Sequence, residues 1–207
     1  MSRKKGKLYV ITGPSGTGKG SICREILKDI ENEFSVSMTT REARTGEVHG
    51  KDYYFVTEEE FLENVEKGNF LEHANVYGKL YGTPKDMVLK QLDRGHNVIL
   101  DIDVQGALQV KKAMPEAIMI FLLPPSLCEL RKRLEGRATD KPEVIEKRLS
   151  EALNEIKLVG EYDYYVVNDD IDAAIAKVKS IMTAEKCRVP DKAKDIIKKY
   201  EQEQKGE

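Results

Sequence analysis

The chain has 207 residues, 40% of them hydrophobic, with 34 Lys and Arg against 36 Asp and Glu and a formal charge of -2. That is enough apolar material for one core with small insertions, and the near-balance of charge excludes a nucleic-acid or membrane-surface binder that works through bulk positive charge. Cys23, Cys128 and Cys187 are too few and too scattered for a disulfide framework or a zinc site, and His49, His73 and His96 lack close ligand partners.

In chain order, the apolar run Leu8 to Thr12 follows Lys4, Lys5 and Lys7, is too short for a signal segment, and reads as a first strand. Gly18 to Glu31 is helix-like. Ser35 to Gly82, dense in Thr, Tyr, Gly and charge, breaks the rhythm and reads as an inserted module with a strand near Tyr53 to Val56 and a helix near Glu58 to Lys67. Pro84 to Arg94 reads as a helix, Asn97 to Ile102 and Ile118 to Leu122 as buried strands, and Ser126 to Leu134 as a helix with a Leu127, Leu130, Leu134 stripe. Glu135 to Leu149 reads as a helical cover, Tyr164 to Val167 as a fourth strand, and the charged tail after Val189 as an exposed helix. The longest apolar run, Ala117 to Leu123, is far below the roughly 20 residues that cross a bilayer, so a cytoplasmic protein is expected.

Continuously apolar strands imply cover on both faces, and strand-helix alternation predicts an α/β fold with an open parallel sheet and ligands gathered at the strands' carboxyl ends. The expected division is a core of residues 1–34, 84–134 and 150–207, a module over 35–83 and a lid over 135–149, with the charged tail at 190–207.

Directly after the first strand stands GPSGTGKGS: Gly13, Pro14, Ser15, Gly16, Thr17, Gly18, Lys19, Gly20 and Ser21. A Gly-rich loop between strand and helix lets backbone amides turn inward on polyphosphate oxygens, with Lys19 adding charge and the helix amino end favouring an anion. The alternative is a Gly-rich turn with a solvated lysine. Gly20 stands where a P-loop carries Ser or Thr, so no hydroxyl at that position can ligate magnesium. The same glycine is familiar in adenylate-kinase-like loops, and that resemblance implies an ion held mainly by nucleotide oxygens and water.

Arg41 and Arg44, three apart, have the donors to close around a monophosphate dianion, and Tyr53 and Tyr81 can add hydroxyls; a solvated loop and packed tyrosines are the alternatives. The segment SVSMTTREARTGEVHGKDYYF (Ser35 to Phe55), together with FLEHANVYGKLYGTP, closely resembles the GMP-binding module of the guanylate kinase family. The resemblance implies that Arg41, Arg44, Tyr53 and Tyr81 hold the acceptor phosphate, and that Glu72, with Ser37 and Thr83, reads guanine. Taken alone, Glu72 reads as a surface-helix residue.

NVILDIDVQG runs a buried strand into Asp101 and Asp103, which alternation puts on one face at its carboxyl end. The resemblance makes Asp101 the acidic partner of the loop, near Lys19 or a magnesium-bound water, and Asp103 a residue facing guanine; turn or capping aspartates are the alternative. It further implies that Arg133, Arg137 and Arg148 neutralise the transferring phosphoryl group, and that Asn168 lies near adenine. Ala138 stands where a glycine is more typical of the family.

The implied activity is transfer of the γ-phosphate of ATP to GMP, and to dGMP, with Mg2+, in a P-loop NTPase-type fold, with turnover resting on Lys19, Arg41, Asp101, Arg137 and Arg148. One rival is a guanylate-kinase-like module that docks protein segments, against which the intact Gly13, Gly16, Gly18 and Lys19 weigh. The other is a kinase for AMP or a phosphorylated sugar, against which Glu72, Ser37 and Thr83 weigh. The resemblance spans about Lys7 to Glu185, and it leaves the oligomeric state open.

Overall fold

Alternate residues of β1 (Leu8–Thr12) enter two different cores. Tyr9 and Ile11 pack with Ile22, Cys23 and Ile26 of α1 (Lys19–Ile26) and Ala174, Val178 and Met182 of α7 (Ile171–Cys187). Leu8 and Val10 pack on the other face with Val88 and Leu92 of α3 (Lys85–Asp93) and Ala107 and Val110 of α4 (Val104–Ala113). Both faces are therefore covered, as strands with continuous apolar runs require. The computed structural model describes residues 5–76, 78–136, 142–189 and 193–205.

The larger sheet has five parallel strands in the order β2 (Asn32–Phe34), β7 (Asn97–Asp101), β1, β8 (Ile118–Leu123) and β9 (Tyr164–Val167). Four of these strands fall where the apolar runs put them. The fifth, β2, was not expected, and the helix expected over Gly18 to Glu31 is corrected, since α1 stops at Ile26. Asn32 accounts for the stop: its side chain donates to the Ile26 carbonyl at 2.8 Å and accepts from Asn97 at 2.9 Å, tying the helix end to the neighbouring strand.

A smaller sheet runs β4 (Tyr54–Phe55), β3 (Met38–Thr39), β6 (Lys79–Pro84), β5 (Phe70–Val76). Beside it lies α2 (Glu58–Glu66), capped by Thr57 and anchored by Phe61 stacked on Phe70 at 4.6 Å. Gln109 of α4 joins the two sheets, accepting from the His73 N–H at 3.1 Å and donating to the His73 carbonyl at 3.2 Å.

Leu130 and Leu134 of α5 (Leu127–Glu135) pack against Ile145, Leu149 and Ala152 of α6 (Pro142–Ile156) in a third cluster. The tail forms α8 (Lys194–Lys205). Among the described residues no helix is long and apolar enough to cross a membrane.

Candidate active site

The loop between β1 and α1 is held from three sides. Gly18 takes φ 89°, and a Cβ there would sit 2.5 Å from Nδ2 of Asn168, so a side chain would be both strained and blocked. Asn168, buried after β9, donates to the Thr17 carbonyl at 2.8 Å. Thr17 in turn donates its hydroxyl to the Pro14 carbonyl at 2.8 Å. Lys19 folds back over the loop, its ammonium reaching the Gly13 carbonyl at 2.5 Å and that of Pro14 at 3.3 Å. These are weak holds for a full charge, and a polyphosphate oxygen would outcompete them.

The loop opens on a cleft of about 560 Å³, whose walls include Ser15, Gly16, Gly20 and Ser21 on one side and Asp101, Asp103 and Glu155 on the other. Burial pushes the Asp101 carboxyl above its usual range, and the nearby Lys19 pulls it back only in part. Asp103 departs from the expected strand position: it follows the end of β7 and caps α4, accepting from the Gly106 N–H at 2.9 Å. The residue still lines the cleft. Glu155 of α6 was not legible as a site residue; only its helical spacing from the buried Ala152 hinted that it faces inward. Burial raises its carboxyl too, partly offset by Lys19.

Glu72 lies on β5 and is only 7% exposed, which corrects the surface-helix reading of the residue taken alone. Thr83, its partner across the β5–β6 pairing, donates to Oε1 at 2.6 Å. Burial drives the Glu72 carboxyl upward; the Thr83 hydroxyl lowers it, and the charge of Asp103 raises it. Asp103 thus lies at the Lys19 cleft and within electrostatic reach of Glu72 at once. Ser37 stands just before β3, where its carbonyl accepts the Tyr54 N–H at 2.9 Å.

Arg41 lies over the Tyr53 ring at 5.4 Å, and Tyr53 meets Tyr81 edge to face at 5.9 Å. Arg44 is exposed on the same turn. Glu47, unforeseen in the sequence, ties the turn together by holding Arg41 with both carboxylate oxygens at 2.9 Å. On the cover side, Arg148 reaches Ser15 at 3.5 Å and Arg133 reaches Glu129 at 3.4 Å. Arg137 and Ala138 lie outside the described residues.

A Gly-rich loop joining the central parallel strand to a helix, with a lysine in the loop and an aspartate ending the next strand, defines a nucleotide-binding protein of the P-loop class. The family model described as guanylate kinase matches residues 5–185. The chain is 50% identical to a guanylate kinase of Caldanaerobacter subterraneus subsp. tengcongensis, over 97% of this chain and 98% of that one. It is 52% identical to a guanylate kinase of Clostridium tetani, over 94% and 93% of the two chains. The crystal structure of guanylate kinase from Anaplasma phagocytophilum superposes with a TM-score of 0.70 at 36% identity, covering 91% of this chain and 90% of that one. The chain belongs to the guanylate kinase family.

Proposed function

We propose that this chain is a nucleoside monophosphate kinase that transfers the γ-phosphate of ATP to GMP, giving ADP and GDP. The observation that carries the reading is the place of Asp103, which shares one cleft with Lys19 while its charge acts on the buried Glu72–Thr83 pair. A phosphate cradle and a purine-edge reader thereby open on each other.

In this reading the loop amides and Lys19 take the donor phosphates, while Arg41, Arg44 and the hydroxyls of Tyr53 and Tyr81 take the acceptor phosphate. The acceptor's second phosphate pKa is near 6, so at neutral pH it is already largely a dianionic nucleophile and no catalytic base is required. The protein's task is alignment and charge neutralisation, with Arg133, Arg137 and Arg148 brought by the cover when both substrates are present.

Guanine offers two N–H donors to one carboxylate, and they would stabilise Glu72 in the ionised form that burial disfavours. Adenine presents a lone pair at N1 instead, which a carboxylate repels. Ser37, Thr83 and Asp103 complete the base site.

The residues of the cleft fit a magnesium ion bound mainly through nucleotide and water. Asp101, Asp103, Glu155 and the Ser21 hydroxyl are the oxygen groups that line the cleft, and among the described residues no three His, Cys, Asp or Glu gather as a ligand set. Magnesium would screen charge on the donor phosphates, with Asp101 and Ser21 holding its water shell.

A coupled ADP-release assay with ATP and Mg2+ across GMP, dGMP, AMP, UMP and IMP tests the assignment. GMP should be turned over fastest, dGMP should follow, and IMP, which lacks the 2-amino donor, should be weaker. Highest activity on AMP would overturn the base site. No release with any acceptor would leave the protein-docking reading.

A further inference from the structure

The turn from Arg44 to Glu47 closes with the Glu47 N–H donating to the Arg44 carbonyl at 3.0 Å, and Gly46 occupies its third position at φ 92°. That conformation is open to glycine at no steric cost. The turn brings the Glu47 carboxylate back onto its own loop. Oε2 accepts the Arg44 backbone N–H at 2.8 Å and Nη1 of Arg41 at 2.9 Å, while Oε1 accepts Nη2 of Arg41 at 2.9 Å.

Arg41 is thus gripped end-on. Its Nη1 is fully engaged, since it also donates to the Glu42 carbonyl at 2.7 Å, and its flat face lies over Tyr53. The guanidinium's other edge, Nε with the second Nη2 hydrogen, is not used by Glu47, and Tyr81 lies near enough to act on the same guanidinium. A guanidinium carries five donors on two usable edges, so it can hold a carboxylate on one and a phosphate on the other. Both partners of the ion pair are largely shielded, at 15% and 21% side-chain exposure.

We propose that Glu47 is a positioning residue for acceptor binding: its carboxylate fixes Arg41 so that the edge Glu47 leaves unused faces the phosphate of GMP, beside Tyr53 and Tyr81. This rests on the GMP kinase reading and adds to it a residue that does not touch substrate. Ordering Arg41 before substrate arrives reduces the conformational cost of binding. The opposite role, an internal anion that must leave before phosphate can bind, conflicts with the turn: Glu47 is tied to the Arg44 backbone and has no need to move.

Steady-state kinetics in both substrates test the proposal on wild type, Glu47→Ala, Glu47→Gln, Arg41→Ala and the Arg41→Ala/Glu47→Ala double variant. Glu47→Ala should raise the GMP KM about tenfold, change kcat less than about threefold and leave the ATP KM alone. Glu47→Gln, which keeps one acceptor oxygen, should fall between it and wild type. In the Arg41→Ala background the second substitution should add less than about twofold, because its effect passes through Arg41.

A GMP KM unchanged or lowered by Glu47→Ala would overturn the proposal, as would effects that multiply fully in the double variant. If Glu47→Ala does not fold, Glu47→Gln against wild type carries the test: a raised GMP KM supports the role and an unchanged one refutes it. A wild-type protein that makes no GDP would refute the kinase reading instead, and so separates the two failures.

Discussion

Thr83 donates its hydroxyl to Oε1 of Glu72 at 2.6 Å across the antiparallel pairing of β5 and β6, with both residues buried. The bond occupies one carboxylate oxygen, and in the proposed base site the other is left for the purine. Glu72→Gln keeps the shape but replaces an acceptor with a donor facing the guanine N–H groups. The GMP KM should rise by about 10² or more, and discrimination against AMP should collapse.

The same carboxylate sets a pH dependence. Burial raises it above the ordinary value of 4.5, so in the free enzyme it begins to protonate at a higher pH than an exposed glutamate. Acidification should therefore weaken GMP binding twice over, through the nucleotide's own phosphate near pH 6 and through Glu72. Profiles of kcat/KM for GMP should fall more steeply below pH 6 in wild type than in Glu72→Gln. Parallel profiles would show that Glu72 is not at the base.

Two neighbours in the phosphate loop should respond in opposite ways. Lys19→Met removes the only ammonium folded over the loop among the described residues, and kcat should drop about 10³-fold with little change in melting temperature. At Gly20, in the first turn of α1, an added Cβ meets nothing within 4 Å and the backbone is not in the positive-φ region. Gly20→Ala should raise the melting temperature by about 2–3 °C, from roughly 1 kcal/mol of helix propensity, and change the ATP KM less than twofold.

At the opposite end of the sheet, Glu185 of α7 is 3% exposed and accepts from the Lys7 ammonium at 3.0 Å and the Tyr164 hydroxyl at 2.6 Å. Burial alone would raise its carboxyl, but Tyr164 and Lys7 together outweigh that and hold it below the usual 4.5. A depressed carboxylate stabilises the fold above its unfolded value and loses that contribution as pH falls through the folded one. Glu185→Gln should cost about 2 kcal/mol at pH 7, roughly 4–8 °C in melting temperature, discounted because Lys7 is partly exposed. The gap should shrink below pH 4.5; a gap that widens on acidification would contradict the assigned charge.

Much of this architecture was legible in the residues because burial on both faces leaves runs such as Leu8 to Thr12 and Ile118 to Leu122 with no polar interruption. The starts of α3 and α5 were legible for a different reason, Pro84 and the capping Ser126 marking them. What was hidden depends on partners distant in sequence. β2 is three residues long and owes its existence to Asn97 and β7, so nothing in its own residues marked it as a strand. Taken alone, Glu72 looked like a surface residue because nothing local says that Thr83 will meet it, and only the family resemblance placed it at the base. Glu47 looked like one more charge in an exposed loop until the turn at Gly46 set its carboxylate against Arg41. The phosphate loop was the reverse case, since its function is carried by contiguous residues and their spacing.

The central claim, that two phosphate tails meet in one cleft, is tested most directly by incubating the purified protein with ATP, Mg2+ and GMP and resolving the nucleotides by anion-exchange chromatography. GDP and ADP should appear in equal amounts, and about 10³-fold more slowly with Lys19→Met. A folded wild-type protein that leaves GMP unconverted would contradict the account.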